Sequence, residues 1–127
     1  MDENKLLTNE IKYLKLGKKP LEWIIPKTDG QRPTPRISAT MKFYEKLSLI
    51  VIYGGSDKER KRFYNDLHIF DLEKLKWTKI ILFNSAPSER GEHSCILIKN
   101  KLIIFGGINA TNYVGSDLFI INFGIIV

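Results

Sequence analysis

The sequence predicts an all-β protein written as an internal repeat, and three observations predict it. Two apolar runs, Ser48-Leu-Ile-Val-Ile-Tyr-Gly-Gly55 and Lys101-Leu-Ile-Ile-Phe-Gly-Gly107, each stop at a double glycine. Both are too short for a helix, and β-branched and aromatic side chains suit a pleated, covered surface. Marker residues recur at fixed steps: Trp23 precedes Pro33 by 10 and Arg36 by 13 residues, and Trp77 precedes Pro87 and Arg90 by the same steps. Asp66-Leu67 and Asp117-Leu118 each open another apolar run, 12 residues after Gly54 and 11 after Gly106. A period of about 50 residues belongs to solenoids, propellers or arrays.

The elements follow in order. Residues 1–20 are lysine-rich, and Leu7, Ile11 and Leu14 fall at i, i+4 and i+7, so a flexible or partly helical leader is expected. Leu21–Ile25 reads as a strand matching Trp77–Ile81, the closing strand of a preceding blade. Pro26 to Pro35 is a turn-rich connection. Arg36–Tyr44, Leu47–Tyr53, Leu67–Leu72 and Lys76–Leu82 read as the four strands of repeat 1, which with the closing strand spans 21–82. Repeat 2 spans 83–127: His93–Ile98, a tight turn at Asn100-Lys101, Leu102–Phe105 and Leu118–Phe123, without a last strand.

The ordered set Pro/Arg, apolar strand, Gly-Gly, Asn-Asp-Leu or Ser-Asp-Leu, then Trp resembles the kelch motif of β-propellers over residues 21–127. The resemblance implies a partial propeller of about two four-stranded antiparallel blades. His93, three residues after Arg90, fits the motif. Ala39 stands at that place in the first copy, and the second copy's Trp would fall one position past Val127. A closed propeller needs about 4–8 blades, so two blade faces are expected to lie open and to favour self-association, for example as a ring of three chains.

Composition narrows the function. The chain has 127 residues and a formal net charge of +6, which favours acidic partners. One cysteine, Cys95, excludes an internal disulfide framework. No apolar stretch is long enough to span a membrane, and the charged N-terminus does not read as a secretory signal. A cytosolic or nuclear setting is expected, with no membrane or nucleic-acid partner. Asn109-Ala-Thr111 fits a glycosylation sequon but carries little weight without such a signal.

Up-and-down strand order puts the blade-linking loops (26–35, 83–91) and the strand two–three loops (56–65, 108–116) on one face of the disc. That is also the face kelch proteins tend to use for partners. In loop 56–65, Lys58, Arg60, Lys61, Arg62 and Tyr64 form the candidate partner-binding patch, since Arg and Tyr anchor interfaces. The alternative is a solvated loop whose charges keep its tip wet. Asn109, Asn112 and Tyr113 offer adaptable hydrogen bonds and an aromatic anchor in the second loop, with turn chemistry as the alternative.

Arg36 and Arg90 are expected to tie backbone carbonyls between blades, Trp23 and Trp77 to pack between blades, and Gly54, Gly55, Gly106 and Gly107 to shape the backbone. No phosphate loop, zinc spacing or nucleophilic triad is present, and no cofactor is expected. The predicted function is a non-catalytic protein-interaction module docking an acidic or polar segment. Two alternatives stand: a regulatory kelch segment of a larger enzyme such as a phosphatase, or a truncated product. A copper-oxidase type of kelch protein would need several His, Tyr and Cys ligands that this chain lacks.

Overall fold

Two sheets meet face to face; buried and exposed residues alternate along strands such as Ser94–Ile98, whereas Leu67–Phe70 is buried throughout. The computed structural model describes residues 7–82, 86–111 and 114–122. The strands are β1 (Tyr13–Leu14), β2 (Trp23–Ile24), β3 (Asp29–Gly30), β4 (Thr40–Tyr44), β5 (Leu49–Tyr53), β6 (Leu67–Asp71), β7 (Lys76–Ile80), β8 (Ser94–Ile98), β9 (Lys101–Phe105) and β10 (Leu118–Asn122). β4 to β7 form the antiparallel first blade. β8 to β10 form the second. Each sits within a few residues of the strand its apolar run predicts.

The core lies between the sheets. Val51, Tyr53, Leu67 and Ile69 from the first blade meet Cys95, Leu102 and Ile104 from the second. Each fully buried side chain of this kind contributes about 1.5–3 kcal/mol. Burial also pushes the Cys95 thiol upward in pKa, so it packs as a small apolar group. On the opposite face of the first blade Trp77 is 3 % exposed. It packs on Phe70 with ring centroids 4.8 Å apart.

Four local expectations are corrected. The leader is not helical among its described residues; it is extended, and Tyr13–Leu14 pairs with Trp23–Ile24. Its apolar residues dock instead: Ile11 and Leu14 are half-buried, and the Asn9 side-chain amide donates to the Pro33 carbonyl at 2.9 Å. Burial against a sheet outweighs the weak tendency of so short a segment to coil into a helix. Second, Leu21–Ile25 narrows to the two-residue β2, and Trp23 is 69 % exposed. It does not share Trp77's packing, because no described strand of a preceding blade lies beside it.

Third, the 26–35 connection is not only turn. Asp29–Gly30 adds a parallel fifth strand outside β7. A Cβ on Gly30 would lie 1.9 Å from the Trp77 carbonyl oxygen, so this approach needs glycine. Fourth, the hairpin turn is Lys99-Asn100, with Ile98 opposite Lys101 and Lys99 at φ 54°.

Candidate functional site

The double glycine that ends β5 begins the site. Gly54 and Gly55 adopt φ 67° and 97°, and added Cβ atoms would lie 2.6 Å from the Arg90 carbonyl oxygen and 2.7 Å from that of Ile37. The backbone passes between the two repeats there, and the Gly55 N–H donates to the Arg90 carbonyl at 2.8 Å.

Arg36 lies beside the crossing but ties carbonyls within its own repeat, not between blades as expected; Arg90 does the same in the second repeat. Arg36 Nη1 donates to the Gly54 carbonyl at 2.9 Å and to Asp66 Oδ1 at 2.5 Å. Nη2 donates to Asp66 Oδ2 at 3.0 Å and to Thr34 Oγ1 at 3.1 Å, while Nε donates to the Thr34 carbonyl at 3.0 Å. All five N–H donors of the guanidinium are therefore spoken for. Asp66 Oδ2 also lies 2.8 Å from His68 Nε2. Burial alone would raise the Asp66 pKa, but the hydrogen bonds from His68 and Arg36 outweigh it and hold the carboxyl well below the usual range. Sequence reasoning used Asp66 only as a strand marker and gave His68 no role; the recurring Asp-Leu step was the signal that Asp66 has a fixed partner.

Arg90 repeats the backbone half of this pattern. It donates from Nη1 to the Gly106 carbonyl at 2.9 Å, from Nε to the Ser88 carbonyl at 3.0 Å and from Nη2 to Ser88 Oγ at 3.0 Å. Its guanidinium carbon lies 5.2 Å from the Phe119 ring centroid. Beside it, burial and the Arg90 charge lower the His93 pKa from 6.5 to about 4. His93 Nε2 meets Thr40 Oγ1 at 2.8 Å across the blades.

Loop 56–65 is a built structure. Asp57 Oδ1 accepts from the N–H groups of Lys61 at 2.9 Å and Arg62 at 3.2 Å. The Asp57 N–H donates to the Arg62 carbonyl at 2.9 Å. Phe63 is buried at the loop's base, packed over Gly91. Tyr64 lies under the Arg36 guanidinium, 4.3 Å from its ring centroid, with Arg62 at 5.7 Å. Both cations are within cation–π range.

Four loops meet above this platform. Thr34, Glu89, the segment Lys61–Asp66 and the segment Asn109–Thr111 line one open hollow of about 480 Å³, with Lys79. Lys61, Arg62, Tyr64 and Asn109 are thus brought together, from loops of both repeats. Lys58 and Arg60 stand outside the lining; Arg60 pairs with Glu92 at 2.6 Å. Lys61 pairs with Glu59 at 3.0 Å. Arg62 and Lys58 form no ion pair among the described residues. The Asn109 amide oxygen accepts from the Thr111 N–H at 3.0 Å. Asn112 and Tyr113 lie outside the described residues. Among those residues no group of three or more His, Cys, Asp or Glu could hold a metal, and no helix is long and apolar enough to cross a membrane.

Comparison with known proteins places this geometry. The profile of the KLHDC2/KLHL20/DRC7 Kelch-repeats domain matches residues 1–125. Host cell factor 1 of Rattus norvegicus is 40 % identical over 105 residues, covering 78 % of this chain and 5 % of that protein. Rho GTPase-activating protein gacHH of Dictyostelium discoideum is 33 % identical over 109 residues, 82 % of this chain and 7 % of that one. Dynein regulatory complex subunit 7 of Chlamydomonas reinhardtii is 28 % identical over 100 residues, 79 % of this chain and 8 % of that one. The solved structure of YjhT superposes with a TM-score of 0.63 at 22 % identity, over 80 % of this chain and 29 % of that one. The chain therefore spans a small part of the length of each relative.

Proposed function

This chain belongs to the kelch-repeat family, and on that premise we propose that it is a non-catalytic protein-interaction module whose loop face docks an acidic or polar segment. One observation carries the reading: loops from both repeats converge on one hollow lined by Tyr64 and Arg62, and among the described residues no carboxylate pairs with Arg62. A rigid aromatic beside an uncommitted guanidinium is the pairing that anchors protein interfaces, and the fork of Arg62 suits a carboxylate. Lys79 adds positive charge to the lining of the same hollow. Asn109 lines the same hollow and supplies polar contact. Asn112 and Tyr113, which follow Asn109 in sequence, remain proposed contact residues, and Lys58 and Arg60 steer acidic partners toward the hollow rather than touching them. A cytosolic setting, or a nuclear one, follows from the reading of charge and cysteine content.

Calorimetric titration with an oligo-glutamate peptide tests this. Replacing Lys58, Arg60, Lys61 and Arg62 by Gln is expected to weaken binding about tenfold or more, with Arg62→Gln alone giving the largest single share. Unchanged affinity in a variant with wild-type circular dichroism overturns the basic patch as the docking site.

A second reading is a regulatory kelch segment within a larger enzyme. It is favoured by the match to Rho GTPase-activating protein gacHH, of which this chain spans 7 %.

A further inference from the structure

Each repeat carries a hydroxyl two residues before its arginine, and the two hydroxyls are held alike. Thr34 Oγ1 accepts from Arg36 Nη2 at 3.1 Å, and Ser88 Oγ accepts from Arg90 Nη2 at 3.0 Å. Both residues are exposed, and each follows a buried proline, Pro33 or Pro87. The next residue differs: Pro35 follows Thr34, whereas Glu89 follows Ser88. Proline pushes the residue before it toward extended backbone, and this acts on both Arg32 and Thr34. The Asn9 side-chain amide fastens the segment at the Pro33 carbonyl, 2.9 Å away. An exposed, extended Thr-Pro is the shape that proline-directed protein kinases read.

The surroundings of this hydroxyl give a phosphate there a consequence. Thr34 lines the hollow. The Arg36 guanidinium that it touches lies 4.3 Å from the Tyr64 ring centroid, and Arg62 lies 5.7 Å from the same centroid. Among the charged side chains of the lining, Lys61, Arg62 and Lys79 stand against Asp66 and Glu89, which leaves one positive charge in excess. A phosphothreonine carries about −1.5 to −2 charges at pH 7, enough to reverse the sign of that lining.

We propose that Thr34 is a phosphorylation site for a proline-directed kinase, and that its phosphate closes the hollow to acidic segments. In the transfer the Thr34 hydroxyl oxygen attacks the γ-phosphorus of ATP. One O–P bond forms, the bond to the β-phosphate breaks, ADP leaves, and the hydroxyl proton passes to the kinase. The phosphate then takes the Arg36 Nη2 donor that the hydroxyl held, and it meets the cations Arg62 and Lys79 that would otherwise receive a partner's carboxylate. The effect on binding rests on the docking reading above, whereas the modification and the seat of the phosphate do not. The second repeat supplies an internal control, because Ser88 offers a hydroxyl on the same kind of arginine without the following proline.

Incubation of the full 127-residue chain with ATP and a mitogen-activated or a cyclin-dependent kinase tests this. One phosphoryl group should be added by at least one of the two, and fragmentation mass spectrometry should place it on Thr34 and not on Ser88. Thr34→Val and Pro35→Ala should take none, and Pro35→Ala should keep its affinity for oligo-glutamate. Phosphorus NMR of the modified chain should show the second phosphate ionisation below its ordinary value of about 6, moving back toward it in Arg62→Gln and in Lys79→Gln. Oligo-glutamate should bind the modified chain about tenfold or more weakly than the unmodified one. No phosphate on Thr34, equal modification of Ser88, a phosphate that titrates as in a free peptide, or equal affinity of the two forms overturns the proposal. Should the unmodified chain fail to bind the peptide, the docking reading falls, and mass spectrometry and NMR still decide the site and the seat of its phosphate.

Discussion

The two arginines that open the two repeats share a sequence position and a backbone role but not a charge partner. Arg36 closes a bidentate pair with Asp66. Asp117, the equivalent of Asp66, is exposed and makes no ion pair with Arg90, which lies 1 % exposed against Phe119. Two residues after each Asp stands His68 in the first repeat and Phe119 in the second, so one site is a polar network and the other a cation on an aromatic ring. The two tryptophans divide in the same way, Trp77 inside and Trp23 outside. A repeat therefore specifies strand order and the backbone crossing at the glycines. The chemistry hung on that crossing depends on which neighbouring strands are there to complete it.

Substitutions at paired positions sharpen this comparison. The largest difference is expected at the tryptophans: Trp77→Ala should cost about 4 kcal/mol of unfolding free energy, as for a well-packed aromatic. Trp23→Ala should stay within about 0.5 kcal/mol in dilute monomer. Urea denaturation followed by circular dichroism measures both. Next come the aspartates. Asp66→Ala leaves Arg36 without its carboxylate and should cost about 3 kcal/mol, while Asp117→Ala should be near neutral; equal losses would erase the distinction between the sites.

Acid should separate the repeats further. His93, for which the first repeat has Ala39, is held neutral by burial and the nearby Arg90 charge at about 4 instead of 6.5. Above pH 6.5 neither state carries its proton and His93 contributes no pH dependence. As pH falls from 6.5 to 4 the unfolded chain takes up a proton that the folded chain refuses, so stability declines, by about 2 kcal/mol between pH 7 and pH 5. Asp66, held low, contributes stability that is present above its unfolded value of 3.8 and is lost only as pH falls below it. Stability curves of His93→Gln should lack the decline between pH 6.5 and 4 and keep the loss below 3.8. The smallest stability effect is expected at loop 56–65. Lys58→Gln and Arg62→Gln, which break no ion pair among the described residues, should shift stability by less than about 0.5 kcal/mol.

The strands and the face were legible because both follow from local pattern. Leu49–Tyr53 and Lys101–Phe105 announce themselves by composition and by the glycines that end them. Once strand order is given, the loops that share an end are determined, and Lys61, Arg62, Tyr64 and Asn109 do line one hollow. What was hidden depends on partners far apart in the chain. The Arg60–Glu92 pair spans the two repeats, and the Arg36–Asp66–His68 network appears only when three strands are assembled. The leader misled because Leu7, Ile11 and Leu14 are spaced as on a helix. The same residues can also dock along a sheet, and a sheet is what lies nearest. Asp29–Gly30 carried a turn signal and became an edge strand because Gly30 allows contact with the Trp77 backbone that no other residue permits.

The stapling of loop 56–65 by Asp57 has an evolutionary consequence. Its hairpin shape is written in main-chain contacts and one carboxylate, and its base is plugged by Phe63. The side chains at positions 58, 59, 61 and 62 are left out of that framework and point into solvent or hollow. They can be exchanged without redrawing the hairpin, so a new ligand preference needs new letters at the tip and no new scaffold, which makes this turn a natural place to graft or diversify specificity.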